Sequence, residues 1–295
     1  MEQIWEQTKW ILAGNIYNEN FEETADGGPT CYAEMTNEFR FTMVAISVSI
    51  NLFIVTYFWK NISKSTELDL KLVKNLKPSY LEKLVGYISF LVYLIMVYYK
   101  VKTGKLVFML NPCHMCVLQQ AILLTTKKTK FTAGLYIQYM RWMFGPFCAI
   151  VFPVLNCYDQ PFEVEMFYIE HYLAIIGPFL LIGFGRYGFF KKSIKDTIIE
   201  QYWGFAWHSL WNRVICFPIC LMTWANINFN LCKSESDPWI PLVGNYYLYW
   251  VDQYLNLLSL IVISILILNS QILRQVIILP LQKLFSNKEE KLKIN

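Results

Sequence analysis

Long apolar runs, broken by short clusters of lysine and arginine, set the pattern of this chain. A helix crossing about 30 Å of hydrocarbon at about 1.5 Å per residue needs about 20 apolar residues. Seven runs reach or approach that length: 41–59, 81–99, 106–125, 131–155, 163–185, 205–225 and 245–268. Lys100, Lys102 and Lys105 mark the turn between the second and the third. The pattern predicts an all-α polytopic membrane protein. Its seven-transmembrane-helix bundle would cover 39–270, between an outer arm over 1–38 and a tail over 271–295.

Composition agrees: 55% of the 295 residues are hydrophobic and 17% aromatic, which is too apolar for a soluble domain of this size. Charge then sets the orientation. Eighteen of the 26 Lys and Arg fall in 60–83, 127–130, 186–195 and 274–293, segments that alternate spans place on one side of the membrane. The arm instead carries Glu2, Glu6, Glu19, Glu22, Glu23, Asp26, Glu34 and Glu38 against Lys9. The N-terminus is therefore expected in the lumen or outside and the C-terminus in the cytosol. The net charge of +4 is loop charge, so nucleic acid is not an expected partner. Residues 1–20 lack the basic start and sustained apolar core of a cleavable signal, and the first span is expected to direct insertion.

The eight cysteines divide by compartment. Cys31 precedes the first span and Cys232 follows the sixth, both on the oxidising side, and they are expected to pair. Cys113, Cys116, Cys148, Cys157, Cys216 and Cys220 lie in or at the ends of spans. Of these, Cys113 stands apart. In Met109-Leu110-Asn111-Pro112-Cys113-His114, Asn111 suits an N-cap and Pro112 a first helical position. The thiol then falls among the unpaired N–H groups of a first turn, a setting that favours a thiolate and offers an oxyanion hole. Cys113-His114-Met115-Cys116 has too few ligands for structural zinc and the wrong order for attached haem. No metal and no cofactor are expected.

A nucleophilic thiol needs a base, and there are three histidines. Cys113 and His171 both enter from the outer face, about seven and about eight residues deep, or roughly 10–12 Å. His208 starts from the cytosolic side, and His114 points about 100° away from Cys113 on the same helix. The expected dyad is Cys113 with His171, with His114 as a supporting donor. Tyr168 and Asp252 are candidates to orient the imidazole. Glu165 lies more than a turn away, Glu170 is expected to point elsewhere, and for Asp252 an ion pair with Arg141 or Arg213 is expected ahead of the orienting role.

Several widely spaced motifs resemble the transmembrane protein 164 family. They are Asn111-Pro112-Cys113-His114; Phe152-Pro153-Val154 with Asn156; Pro161-Phe162-Glu163 with Glu165, Tyr168, Ile169 and His171; Gly27-Gly28-Pro29 with Cys31; Asn226 with Asn228; and Leu231-Cys232 before Asp237-Pro238. The resemblance covers roughly residues 27 to 255. It implies a multi-pass acyltransferase that places polyunsaturated chains on ether-linked lysophospholipids, with Cys113 as nucleophile and His171 as partner, and a general link to ferroptosis and autophagy. Cys116, Glu170 and the segment 61–80 are particular to this chain. The implied partners are membrane lipids, as acyl donor and lysophospholipid acceptor, in an endoplasmic reticulum or Golgi membrane.

The mechanism expected is ping-pong transfer through a Cys113 thioester, with His171 as general base. An intramembrane lipid esterase would use the same pair with water as acceptor. A seven-pass receptor is disfavoured, because Thr125-Thr126-Lys127-Lys128 closes the third run where an acidic-Arg-Tyr motif would stand. A transporter should carry paired charges along one path, where this chain has scattered Arg141, Arg213 and Asp252. The orientation is testable at Asn61-Ile62-Ser63, a glycosylation sequon on the expected cytosolic side. Asn61 should stay unmodified in mammalian membranes. A mass shift there that endoglycosidase removes would invert the topology.

Overall fold

The structure, a computed structural model, describes residues 2–14, 16, 26–73, 76–155, 158, 160–187, 194–233 and 240–246. Among these residues there is no strand, only one isolated antiparallel bridge between Gly27 and Ala225. The N-terminal arm holds α1 (Glu2–Ala13) and α2 (Pro29–Ala33). The bundle follows as α3 (Asn37–Leu72), α4 (Tyr80–Lys102), α5 (Pro112–Thr125), α6 (Lys130–Trp142), α7 (Phe144–Val151), α8 (Glu163–Phe184), α9 (Ile194–Leu210) and α10 (Phe217–Thr223).

Local chemistry explains the boundaries. Thr36 accepts the Phe39 N–H at 3.3 Å to start α3, and no Gly or Pro interrupts the chain until Pro78. The helix consequently runs 36 residues, about 54 Å, and takes in residues 61–72 of the lysine-rich segment 60–83. Ser79 and Glu82 close a capping box at the head of α4.

Among the described residues three helices, α3, α4 and α8, are long and apolar enough to cross a membrane. The third, fourth and sixth runs break instead. A 3₁₀ turn over Leu106–Leu110 precedes Pro112, so α5 keeps only 14 residues. Met143 interrupts the fourth run between α6 and α7. A π turn over Trp211–Cys216, followed by Pro218, separates α9 from α10. Most of the seventh run, with Asp252, and the tail over 271–295 lie outside the described residues, as do Asn156 and Cys157.

Ion pairs gather at two opposite ends of the bundle. At one end a disulfide joins Cys31 to Cys232, with Cα atoms 5.1 Å apart. Beside it, fully buried Arg40 donates to the carbonyls of Tyr32 (2.6 Å) and Leu231 (3.2 Å), and Lys105 meets Asp26 at 2.6 Å. At the other end Arg186 donates to Glu82 at 2.6 Å and to the Leu123 and Thr126 carbonyls at 2.6 and 2.8 Å, so its charge caps the C-terminus of α5. Lys128 meets Asp69 there at 2.5 Å.

Between the ends the outer surface is apolar. Phe41, Ile50, Phe53 and Tyr57 of α3, and Tyr87, Leu91 and Leu94 of α4, are exposed, as lipid-facing positions require. The core is apolar around one polar ladder. Ser89 of α4 accepts from Gln120 of α5 at 3.1 Å. The Tyr139 hydroxyl of α6 lies 2.9 Å from Gln120 Oε1 and 3.0 Å from the Ala174 carbonyl of α8, sharing its proton between the two acceptors. Gly177 permits this approach, since a Cβ there would run into Gln120 Oε1 and the Tyr139 hydroxyl. Gly177→Val should therefore cost about 1–3 kcal/mol, read as a lower unfolding midpoint in detergent and loss of the monodisperse peak.

Candidate functional site

The site lies toward the disulfide end, where the head of α5 meets the second turn of α8. Helix α5 begins with Pro112, which has no N–H to offer. The Asn111 N–H bonds the Phe108 carbonyl at 2.9 Å, and the Met115 N–H bonds the Asn111 carbonyl at 3.1 Å. The remaining first-turn donors, those of Cys113 and His114, both lie in hydrogen-bonding range of the Cys113 sulfur. Cys113 is half-buried.

Asn111 holds the N-cap position, but its side chain does not cap. It reaches across to accept the Asn228 N–H at 2.9 Å. Asn228 Nδ2 donates to Asn212 at 3.0 Å, and Asn212 in turn lies 3.3 Å from a ring nitrogen of His208. His208 is boxed by the rings of Trp142, Phe144 and Phe205, so it joins a structural network inside the bundle.

From α8 the buried face carries Glu163, Phe167, Glu170, His171 and Ala174, the spacing of a single helical stripe. His171 Nδ1 sits 2.6 Å from the Phe167 carbonyl. A carbonyl only accepts, so Nδ1 carries the proton and Nε2 is bare. The group that fixes this imidazole is thus main chain, where Tyr168 and Asp252 had been the candidates. Tyr168 is half-buried among the rings of Phe167 and Tyr172, and Glu165 is exposed on another face. Asp252 lies outside the described residues. Arg141 pairs with Glu200 at 3.7 Å, and Arg213 donates to Asn230 at 2.7 Å.

The sequence reading missed the role of Glu170. Its carboxylate bonds His114 Nδ1 directly, with His114 3% and Glu170 1% exposed. Donor atoms of Cys113, His114 and Glu170 all lie within 4.8 Å of one another. The expectation that His114 points away therefore needs correction: the non-helical turn before Pro112 puts the head of α5 against α8, and Glu170 draws the ring across. The available signal was an acid seven residues into an apolar helix beside a histidine, which no isolated carboxylate would occupy. Lys100 completes the surroundings, 3.7 Å from Glu163 and over the Tyr158 ring at 4.9 Å.

Chemically, the site offers a thiol beside two first-turn amides, two imidazoles each anchored through Nδ1, and one buried carboxylate. An apolar bundle with membrane-length helices around such a group defines an integral membrane protein with an internal polar site. A family model described as the TMEM164 family matches residues 34–276, and the chain belongs to that family. A protein of Dictyostelium discoideum described as a transmembrane protein 164 homolog is 30% identical over 156 residues. That match covers 52% of this chain and 54% of the relative, so the chain spans about half the length of the curated relative it matches. No solved structure matches.

The Asn111–Asn228 bond should be what locks the head of α5 to the loop after α10. Asn111→Ala leaves the Asn228 N–H without its acceptor, and about 1–3 kcal/mol should be lost. A lowered unfolding midpoint and faster proteolysis around 226–232 would register it.

Proposed function

We propose that this protein is a membrane-embedded acyltransferase that forms phospholipids through a Cys113 thioester. The observation that carries the reading is the Cys113 sulfur at the head of α5, beside the first-turn amides of Cys113 and His114 and next to the buried His114 and Glu170 side chains. His171 Nε2, free because Nδ1 is held by Phe167, takes the thiol proton. The thiolate adds to the donor ester carbonyl, and the oxyanion is held by first-turn N–H groups. The leaving lysolipid alkoxide recovers the proton from the imidazolium, and the thioester remains. In the second half a lysophospholipid hydroxyl gives its proton to His171, attacks the thioester, and releases the product with the thiol restored. Ether-linked acceptors and polyunsaturated chains are the substrates the family resemblance favours.

The setting follows from the same reading. Seven spans are formed by α3, α4, the turn with α5, α6 with α7, α8, α9 with α10, and the run over 245–268. The disulfide end faces the lumen of an endoplasmic reticulum or Golgi membrane, and the arginine end faces the cytosol. In this topology the thiol sits in the lumenal leaflet, where limited water favours transfer over hydrolysis.

A second reading of the base is favoured by one specific contact. A donor nitrogen of His114 lies within 4.8 Å of the sulfur, and the ring is oriented by Glu170, the arrangement of a Cys–His–Glu triad. The two readings part on substitution. With purified protein, a phospholipid donor and an ether-linked lysolipid acceptor, Cys113→Ser and His171→Ala should each lower transfer by about 10²-fold or more. Loss in His114→Ala with activity kept in His171→Ala would make His114 the base. Free fatty acid released at the same rate without acceptor would make the protein an esterase, and full activity in Cys113→Ser would end the thioester mechanism.

A further inference from the structure

The Cys113, His114 and Glu170 group has a property that acyl transfer does not use. One Glu170 oxygen bonds His114, and the other, Oε2, has no hydrogen-bond partner among the described residues although the side chain is 1% exposed. A buried carboxylate oxygen left without a donor is costly and is a standing acceptor for a cation. Next to it are a thiol and an imidazole with donor atoms inside 4.8 Å. Tetrahedral zinc, with bonds of about 2.0–2.3 Å, holds its donors roughly 3.3–3.7 Å apart. Side-chain adjustment of about 1 Å reaches that geometry from the one observed. Lys100, the nearest ammonium, is engaged by Glu163 and the Tyr158 ring.

We propose that Cys113, His114 and Glu170 form a zinc site that, when filled, holds the Cys113 sulfur and reversibly silences the chemistry at that thiol. Thiolate, imidazole and carboxylate are the donor set zinc takes, and one thiolate with one carboxylate neutralise the dication, so the filled site is neutral overall. On binding, the Cys113 S–H bond breaks, a Zn–S bond forms, and the proton leaves to buffer. The partly exposed side of Cys113 leaves room for a fourth donor. The expectation of no metal rested on the Cys113-His114-Met115-Cys116 run alone. The third ligand comes from α8, 56 residues on.

The metal half stands independently of acyl transfer, whereas the silencing of enzyme activity rests on the function proposed above. The test uses the full chain in nanodiscs with Co²⁺ as the spectroscopic probe. Wild type should bind one equivalent with a thiolate-to-cobalt charge-transfer band, displaced by Zn²⁺. The band should vanish in Cys113→Ser and persist in Cys116→Ala. Glu170→Gln, checked for folding by its elution profile, should bind at least about tenfold more weakly. Zn²⁺ should also block labelling of Cys113 by a thiol-directed lipid probe, and a chelator should restore it. Absence of the band in wild type, unchanged cobalt affinity in Glu170→Gln, or labelling of Cys113 at an unchanged rate under saturating Zn²⁺ would each overturn the proposal. A cobalt band in a protein that transfers no acyl chain leaves the site standing and removes the enzyme.

Discussion

The structure depends first on the hydrogen bonds of the Tyr139 hydroxyl, which ties Gln120 of α5 to the Ala174 carbonyl of α8. Helices in an apolar medium gain little from the hydrophobic effect on meeting one another, so close packing and buried polar bonds set their register. Gln120 lies seven residues after Cys113, two turns along the same face, and Ala174 lies four after Glu170. Fixing that pair therefore fixes the turns above it. A slide of α8 by one residue would move Glu170 about 1.5 Å along the axis and rotate it about 100°, away from His114. Gly177, which lets α8 approach the Gln120 amide, serves the same alignment.

The second constraint acts from the disulfide end. The loop after α10 is held by Asn226, whose side chain accepts from the Leu231 and Cys232 N–H groups and donates to the Cys232 carbonyl. Cys232 is joined to Cys31, and Asn228 of the same loop donates to Asn111. The head of α5 is thus fastened by covalent and polar links to the arm and to the last loop. Because Asn111 looks outward to that loop, it does not cap its own helix. Its Oδ1 would otherwise accept a first-turn N–H, and the amides beside Cys113 would be occupied.

Much of this was legible in the sequence, unevenly. Apolar runs and lysine clusters gave helices and turns, because both signals are local. Helix length was less so: α3 continued through charged residues 61–72, since charge alone does not stop a helix that lacks Gly or Pro. The runs that break do so at Pro112, before Gly145-Pro146 and before Pro218, and each was visible as punctuation that hydropathy averaged away. Cys113, His171 and Asn111 stood out by type and position. Glu170 did not, because its importance lies in a partner 56 residues away on another helix, and a residue's own periodicity says which face it takes but not what faces it.

The charges around the thiol show why the site can sit inside an apolar bundle. Lys100 is set against Glu163, and Glu170 against His114, each pair bridging two different helices. An isolated buried charge costs several kcal/mol, and a paired one costs far less only while its partner stays in place. The pairs are interdependent through position: Lys100 ends α4, Glu163 begins α8, and Glu170 is two turns further along the same stripe. Moving α8 to improve one pair would loosen the other. The two contacts together therefore hold α8 at one height against both α4 and α5, the height at which Glu170 reaches the His114 ring beside the Cys113 sulfur.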